Sequence, residues 1–151
     1  METDESRQAE WQIESIYGQE KTITEQIRET VQEMHEAADR IEDMATAVSE
    51  ACLNAIEHAH ANVSGKRVRV TMTASDETIV FRIYDEGQGI GLPNGKLGGA
   101  DPWDSENPRG WGLFLIASLA DEYRVGAEDG QSYMEIQFQR SVKGDRDGRI
   151  V

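Results

Sequence analysis

One apolar stripe constrains this chain more than any other feature. Ile41, Met44, Ala45, Val48, Cys52, Ala55 and Ala59 recur at helical spacing behind the start signal Asp39-Arg40-Ile41-Glu42. A stripe of that length has to be covered by a second layer, and the spacing predicts a helix running to about His60. The covering layer follows in the sequence. Val68, Val70 and Met72 alternate with Arg67, Arg69 and Thr71, and residues 79–84 return as a strand after the Asp76-Glu77 turn. Two half-buried strands with so short a link pair antiparallel. Residues 123–127 and 133–138 read as a closing hairpin around Asp129-Gly130. Leu113, Phe114, Ile116, Ala117 and Ala120 predict a helix over about residues 110–120. Nearer the start, residues 11–17 alternate as a strand does. Thr22-Ile23-Thr24-Glu25 has capping-box spacing ahead of a stripe at Ile23, Ile27, Val31, Met34 and Ala38. The order βααββ-loop-αββ describes an α+β fold, a two-layer sandwich with helices covering one face of the sheet.

The 151 residues suit a single domain over 11–140, with polar tails at 1–10 and 141–151. Fifteen Lys and Arg against 29 Asp and Glu give a net charge of −14. Such a chain repels phosphate backbones, which argues against direct nucleic-acid binding and favours a basic protein partner. No apolar run approaches the length of a membrane span, and no apolar signal region opens the chain, so the cytoplasm is the expected compartment. The single cysteine, Cys52, lies in the apolar stripe and is expected to be a core residue.

Three constellations carry candidate chemistry. Glu50, Asn54 and His58 stand at i, i+4 and i+8 of the long helix. A solvated helix face accounts for them when they are taken alone. A ligand would need that face left open, and the small Ala47 and Ala51 beside Asn54 leave room for one. The second constellation is Asp85-Glu86-Gly87-Gln88-Gly89-Ile90-Gly91, directly after a strand. A dinucleotide fingerprint fails here because the acid precedes the glycines and no helix follows them. A Walker loop fails for want of Gly-Lys-Ser or Gly-Lys-Thr, and an EF-hand for want of alternating acids. A glycine-rich turn with an acidic start remains one reading. The other is a carboxylate that accepts a hydrogen bond from the exocyclic amine of a purine, beside glycines that let a flat ring approach the backbone. The third constellation, Arg109-Gly110-Trp111-Gly112-Leu113, opens the last helix. It is either a plain loop-to-helix turn or an anion site built from free first-turn amides and Arg109. His35, followed by Glu36, reads as an ordinary helix residue.

In order along the chain, the three segments resemble the N-box and the two glycine boxes of GHKL-type ATPases. The run Val48-Ser49-Glu50-Ala51-Cys52-Leu53-Asn54-Ala55 and the short lid are most similar to the anti-sigma-factor serine/threonine-protein kinases. The resemblance implies a Bergerat-type sandwich with a mixed, mostly antiparallel sheet, and ATP held between the helices and a lid at about 91–108. It implies magnesium on Asn54, the adenine amine on Asp85, and room for the base at Gly87 and Gly89. It also implies phosphate contacts from the amides of Gly110 and Gly112 and a general base at Glu50. His58, Ile90, Arg109, Trp111 and Leu113 fall within the same boxes and are carried into the nucleotide site. The implied function is that of an ATP-dependent serine kinase and anti-sigma factor. Its expected partners are an anti-anti-sigma (STAS-domain) protein, a sigma factor and a second copy of itself, and its expected process is transcription regulation. The alternative is a nucleotide-binding regulatory module with little kinase activity. Lys96 is the only cation of the lid, where a phosphate-facing segment is expected to be more basic, and Trp103 fits either a plug under the loop or a partner contact.

Overall fold

The computed structural model describes residues 7–58, 67–85 and 109–140. Along the chain these form strand β1 (Arg7–Glu14), helices α1 (Glu20–Gln32) and α2 (Ala38–His58), strands β2 (Arg67–Ala74) and β3 (Thr78–Asp85), helix α3 (Arg109–Leu119), and strands β4 (Glu122–Glu128) and β5 (Gln131–Gln139). The element order is the expected one. The strands make one sheet in the order β1-β2-β3-β5-β4. Every pairing in it is antiparallel, so the mixed sheet expected from the resemblance has no parallel pair among the described residues. The topology gives the reason. The chain leaves β3, crosses through α3 to the sheet edge as β4, and the hairpin returns β5 into the space beside β3.

Strand alternation divides the sheet into two faces. On one face Val68, Val70, Met72 and Ala74 of β2, Ile79, Phe81 and Ile83 of β3, and Met134, Ile136 and Phe138 of β5 are all buried. They join Ile23, Ile27 and Val31 of α1 and the stripe Met44, Val48, Cys52 and Ala55 of α2 in the core. Phe81 and Phe138 meet edge to face, with ring centroids 6.2 Å apart. Helix α2 packs on the sheet between α1 and α3. Among the described residues the opposite face carries no helix and is lined by polar and aromatic side chains.

Several boundaries differ from expectation. Strand β1 begins at Arg7, inside the segment expected to be a tail, because residues 7–14 find a full antiparallel register on β2; it stops at Glu14, short of Tyr17. Helix α1 starts two residues ahead of the proposed capping box. Its N-cap is Gln19, without a side-chain cap, and the Thr24 hydroxyl bonds back to the Glu20 carbonyl at 2.9 Å inside the helix. Glu20 Oε1 instead accepts the Gly18 amide at 2.8 Å, where Gly18 has φ 101°. His35 is not helical. With φ 66° it lies in the left-handed region just past α1, the conformation that commonly ends a helix. The β4–β5 turn is Asp129-Gly130, with φ 53° and 80°, the left-handed pair that a tight hairpin needs. No helix among the described residues is long and apolar enough to cross a membrane.

Candidate active site

The site is built where α2 lies over the carboxyl end of β3. Period-two alternation carries the inward row Ile79, Phe81 and Ile83 on to Asp85, so the last residue of β3 turns its carboxylate toward the helix layer and is only 1% exposed. On α2, Ala47, Ala51 and Ala55 are fully buried. The small side chains let the helix sit close to its neighbours and carry Asn54 inward, to 3% exposure. A solvated face therefore does not describe Asn54. Glu50, one turn earlier, is half-buried and reachable from solvent. Asn54 Nδ2 and Asp85 Oδ2 are shielded atoms that make no hydrogen bond among the described residues, although each residue has other interactions.

The N-terminus of α3 borders the same layer. The helix runs from Arg109, so Arg109, Gly110, Trp111 and Gly112 form its first turn, where the backbone amides have no intrahelical acceptor. Gly112 and Ile116 are buried, Leu113 is partly buried against the core, and α3 packs along α2. His58 is the last residue of α2. Gly87, Gly89 and Ile90, and the lid with Lys96 and Trp103, lie outside the described residues. Within these limits the fold brings Asn54, Asp85 and the start of α3 to neighbouring elements around α2.

Cys52 is on the same helix but points into the core. Burial first, and the nearby Glu20 carboxylate second, push its thiol far above the ordinary range. That is the environment of a packing residue rather than a nucleophile.

The reverse face of the sheet holds a network that the sequence reading did not single out. Tyr84, which precedes Asp85 and points the other way, is stacked under Arg69, whose guanidinium carbon lies 3.8 Å from the ring centroid. The Tyr133 ring is 5.4 Å away and lies against Gly126, where a Cβ would stand 2.6 Å from the Tyr133 hydroxyl. Arg82 covers Tyr133 at 4.3 Å. Arg82 and Arg124 donate to the two oxygens of Glu135 at 2.8 and 3.0 Å. Burial raises the Glu135 carboxyl, but the hydrogen bonds from Arg124 and Arg82 outweigh it and hold the group below its usual range. The signal for this network was in the sequence. Arg69 and Tyr84 become cross-strand partners once the hairpin register is counted outward from its turn, and Tyr84 pairs with Tyr133.

Comparison with known proteins agrees with this fold. The family described as the histidine kinase-like ATPase domain matches residues 14–139. A protein named serine-protein kinase RsbW from Bacillus licheniformis is 31% identical over 119 residues, covering 75% of this chain and 73% of the relative. The protein of the same name from Bacillus subtilis (strain 168) is 30% identical over 117 residues, covering 74% and 73%. Among solved structures, the RsbU and RsbW domains of a Mycobacterium tuberculosis protein superpose with a TM-score of 0.64 at 21% identity. That match covers 89% of this chain and 32% of the other, and supports the fold. The chain belongs to the histidine kinase-like ATPase domain family and, within it, to the group of anti-sigma-factor serine-protein kinases.

Proposed function

We propose that this chain transfers phosphate from ATP to a serine of an anti-anti-sigma protein of the STAS type, and that in an alternative complex it sequesters a sigma factor. The observation that carries the reading is the burial of Asn54 and Asp85 in the layer between α2 and β3, in a chain matched to the ATPase domain over residues 14–139. Burying a carboxylate and an amide beside apolar strands costs stability unless partners compensate, and a recognition role accounts for their being kept there.

The donor set suits a magnesium nucleotide. Asp85 accepts the adenine amine, a pairing that a buried carboxylate makes and an apolar side chain cannot. Gly87, Gly89 and Ile90 enclose the base. The amides opening α3 at Gly110, Trp111, Gly112 and Leu113, with the Arg109 guanidinium, hold the phosphates at the positive end of the helix. Asn54 supplies the oxygen ligand for magnesium, and His58, the last residue of α2, closes the N-box pattern. Magnesium, when bound, neutralises charge on the phosphate oxygens. Glu50, half-exposed one turn before Asn54, is placed where a protein substrate can reach it, and takes the proton of the serine hydroxyl as general base. In this reaction class positioning and electrostatics supply most of the rate. The net charge of −14 favours a basic docking surface on the sigma factor. The active unit is a homodimer in the cytoplasm.

The deciding experiment is incubation of the purified chain with γ-labelled ATP, magnesium and single-domain antagonists encoded in the same genome. Label on a serine of one antagonist is the expected result. Nucleotide binding without transfer to any of them would replace the kinase with a regulatory module that holds nucleotide and partner.

A further inference from the structure

We infer that Arg69 and Tyr84, on the sheet face away from the nucleotide, are positioning residues that hold Asp85 in register and so set selectivity for a purine bearing an exocyclic amine. The inference rests on the reading of Asp85 as the base-recognising group.

Asp85 is the last residue of β3 and pairs with the outer rungs of its neighbours, Val68 of β2 and Ser132 of β5. Strand ends are where ladders open most readily. Telling one purine from another nevertheless requires the carboxylate to be held within about 0.5 Å. The residue one peptide back can hold Asp85 without entering the space the base needs, because alternation turns it to the opposite face.

Tyr84 is fixed from three strands. Arg69 of β2 stacks on its ring at 3.8 Å, Tyr133 of β5 lies against it at 5.4 Å, and its hydroxyl donates to Glu128 Oε1 of β4 at 3.0 Å. Arg69 then continues across β3 to donate to Gln131 Oε1 of β5 at 3.2 Å, so its side chain straps the last rungs of the three central strands together. Tyr84 is 5% exposed on a face that no helix of the described residues covers; its own neighbours provide that burial. A Tyr84 so held fixes the peptide plane that carries Asp85.

The test compares ATP with inosine triphosphate, which lacks the exocyclic amine, by calorimetry in the presence of magnesium. The proteins are the unaltered chain, Arg69→Gln, Tyr84→Leu and Tyr84→Phe. The unaltered chain is expected to prefer ATP. Arg69→Gln and Tyr84→Leu are expected to lower that preference about tenfold by weakening ATP while leaving inosine triphosphate nearly unchanged. Tyr84→Phe keeps the ring in the stack and is expected to retain most of the preference. A parallel loss of both affinities, with the ratio intact, would mark a merely structural role and overturn the inference while leaving the Asp85 reading in place. Equal affinity of the unaltered chain for the two nucleotides would overturn both. Should Tyr84→Leu fail to fold, Arg69→Gln decides the matter, since it changes a half-buried side chain on the helix-free face.

Discussion

Asp85 faces α2 and Glu50 lies on it, and the proposed function gives the two acids different work. Asp85 is 1% exposed at the end of an apolar row, a place for recognising a neutral donor. Glu50 is half-exposed, a place for meeting a macromolecular substrate. Asp85→Asn exchanges one acceptor oxygen for a donor, so ATP binding measured by calorimetry is expected to disappear; an unchanged affinity would reject the adenine assignment. Glu50→Ala is expected to bind ATP normally and transfer phosphate some 10²–10⁴-fold more slowly, and a full rate would remove the general base from that position. Cys52 offers an independent check on the packing around both. Its thiol is buried and held protonated by desolvation and by the Glu20 carboxylate. Native protein should resist iodoacetamide and react only as fast as it unfolds. Rapid labelling without unfolding, read by mass spectrometry, would mean that α2 opens away from the sheet.

Among the arginines that tie elements together, two sets bear on stability. Arg140, just past β5, donates to Glu36 at 2.9 Å and to the carbonyls of Ser75 and Met34, each at 2.9 Å, joining the β2–β3 turn to the connection between α1 and α2. The Glu36 side chain is fully buried. Arg140→Ala removes the guanidinium from that carboxylate and from both carbonyls and is expected to cost up to about 3–5 kcal/mol in chemical denaturation, whereas Glu36→Gln with Arg140 intact should cost less. Glu135 ties β3, β4 and β5 through Arg82 and Arg124. Its folded carboxyl titrates below its unfolded value, so its stabilisation is complete above the unfolded value near 4.3 and is lost as pH falls through the folded one. Glu135→Gln should therefore flatten the decline of stability as pH falls below about 5. These ties also mark the limit of what the sequence made legible. Periodicity is local, so α2, the β2–β3 hairpin, the Asp129-Gly130 turn and α3 could be read directly. The capping box failed because the helix already begins at Glu20, which leaves Thr22 inside its first turn instead of at its cap. His35 was placed in a helix because what surrounds the end of α1 includes an arginine more than one hundred residues away, at Arg140. Asp85 and Asn54 were recognisable as residue types in a pattern; their burial came only with the tertiary packing of β3 and α2.

At the scale of the whole molecule, the candidate site exists only when the layers are assembled. Asp85 comes from the sheet, Asn54 and Glu50 from the central helix, and the amide cluster from α3, so the unfolded chain presents none of them together. A ligand with such a site binds the folded state alone and stabilises it by mass action. At a magnesium–ATP concentration one hundred times its dissociation constant, the gain is about 2.7 kcal/mol. For a domain of this size each kcal/mol moves the thermal midpoint by about 2–4 °C, so the shift should be roughly 5–11 °C. The three variants then separate the elements of the site. Glu50→Ala should retain the shift, because its role begins after binding. Asp85→Asn should lose it while melting near the unaltered protein in the absence of nucleotide. Arg69→Gln should keep only part of it with ATP and respond to inosine triphosphate much as the unaltered chain does. A midpoint of the unaltered chain that stays put under saturating magnesium–ATP would mean that α2, β3 and α3 do not meet around a nucleotide. The burial of Asn54 and Asp85 would then need an explanation in folding alone.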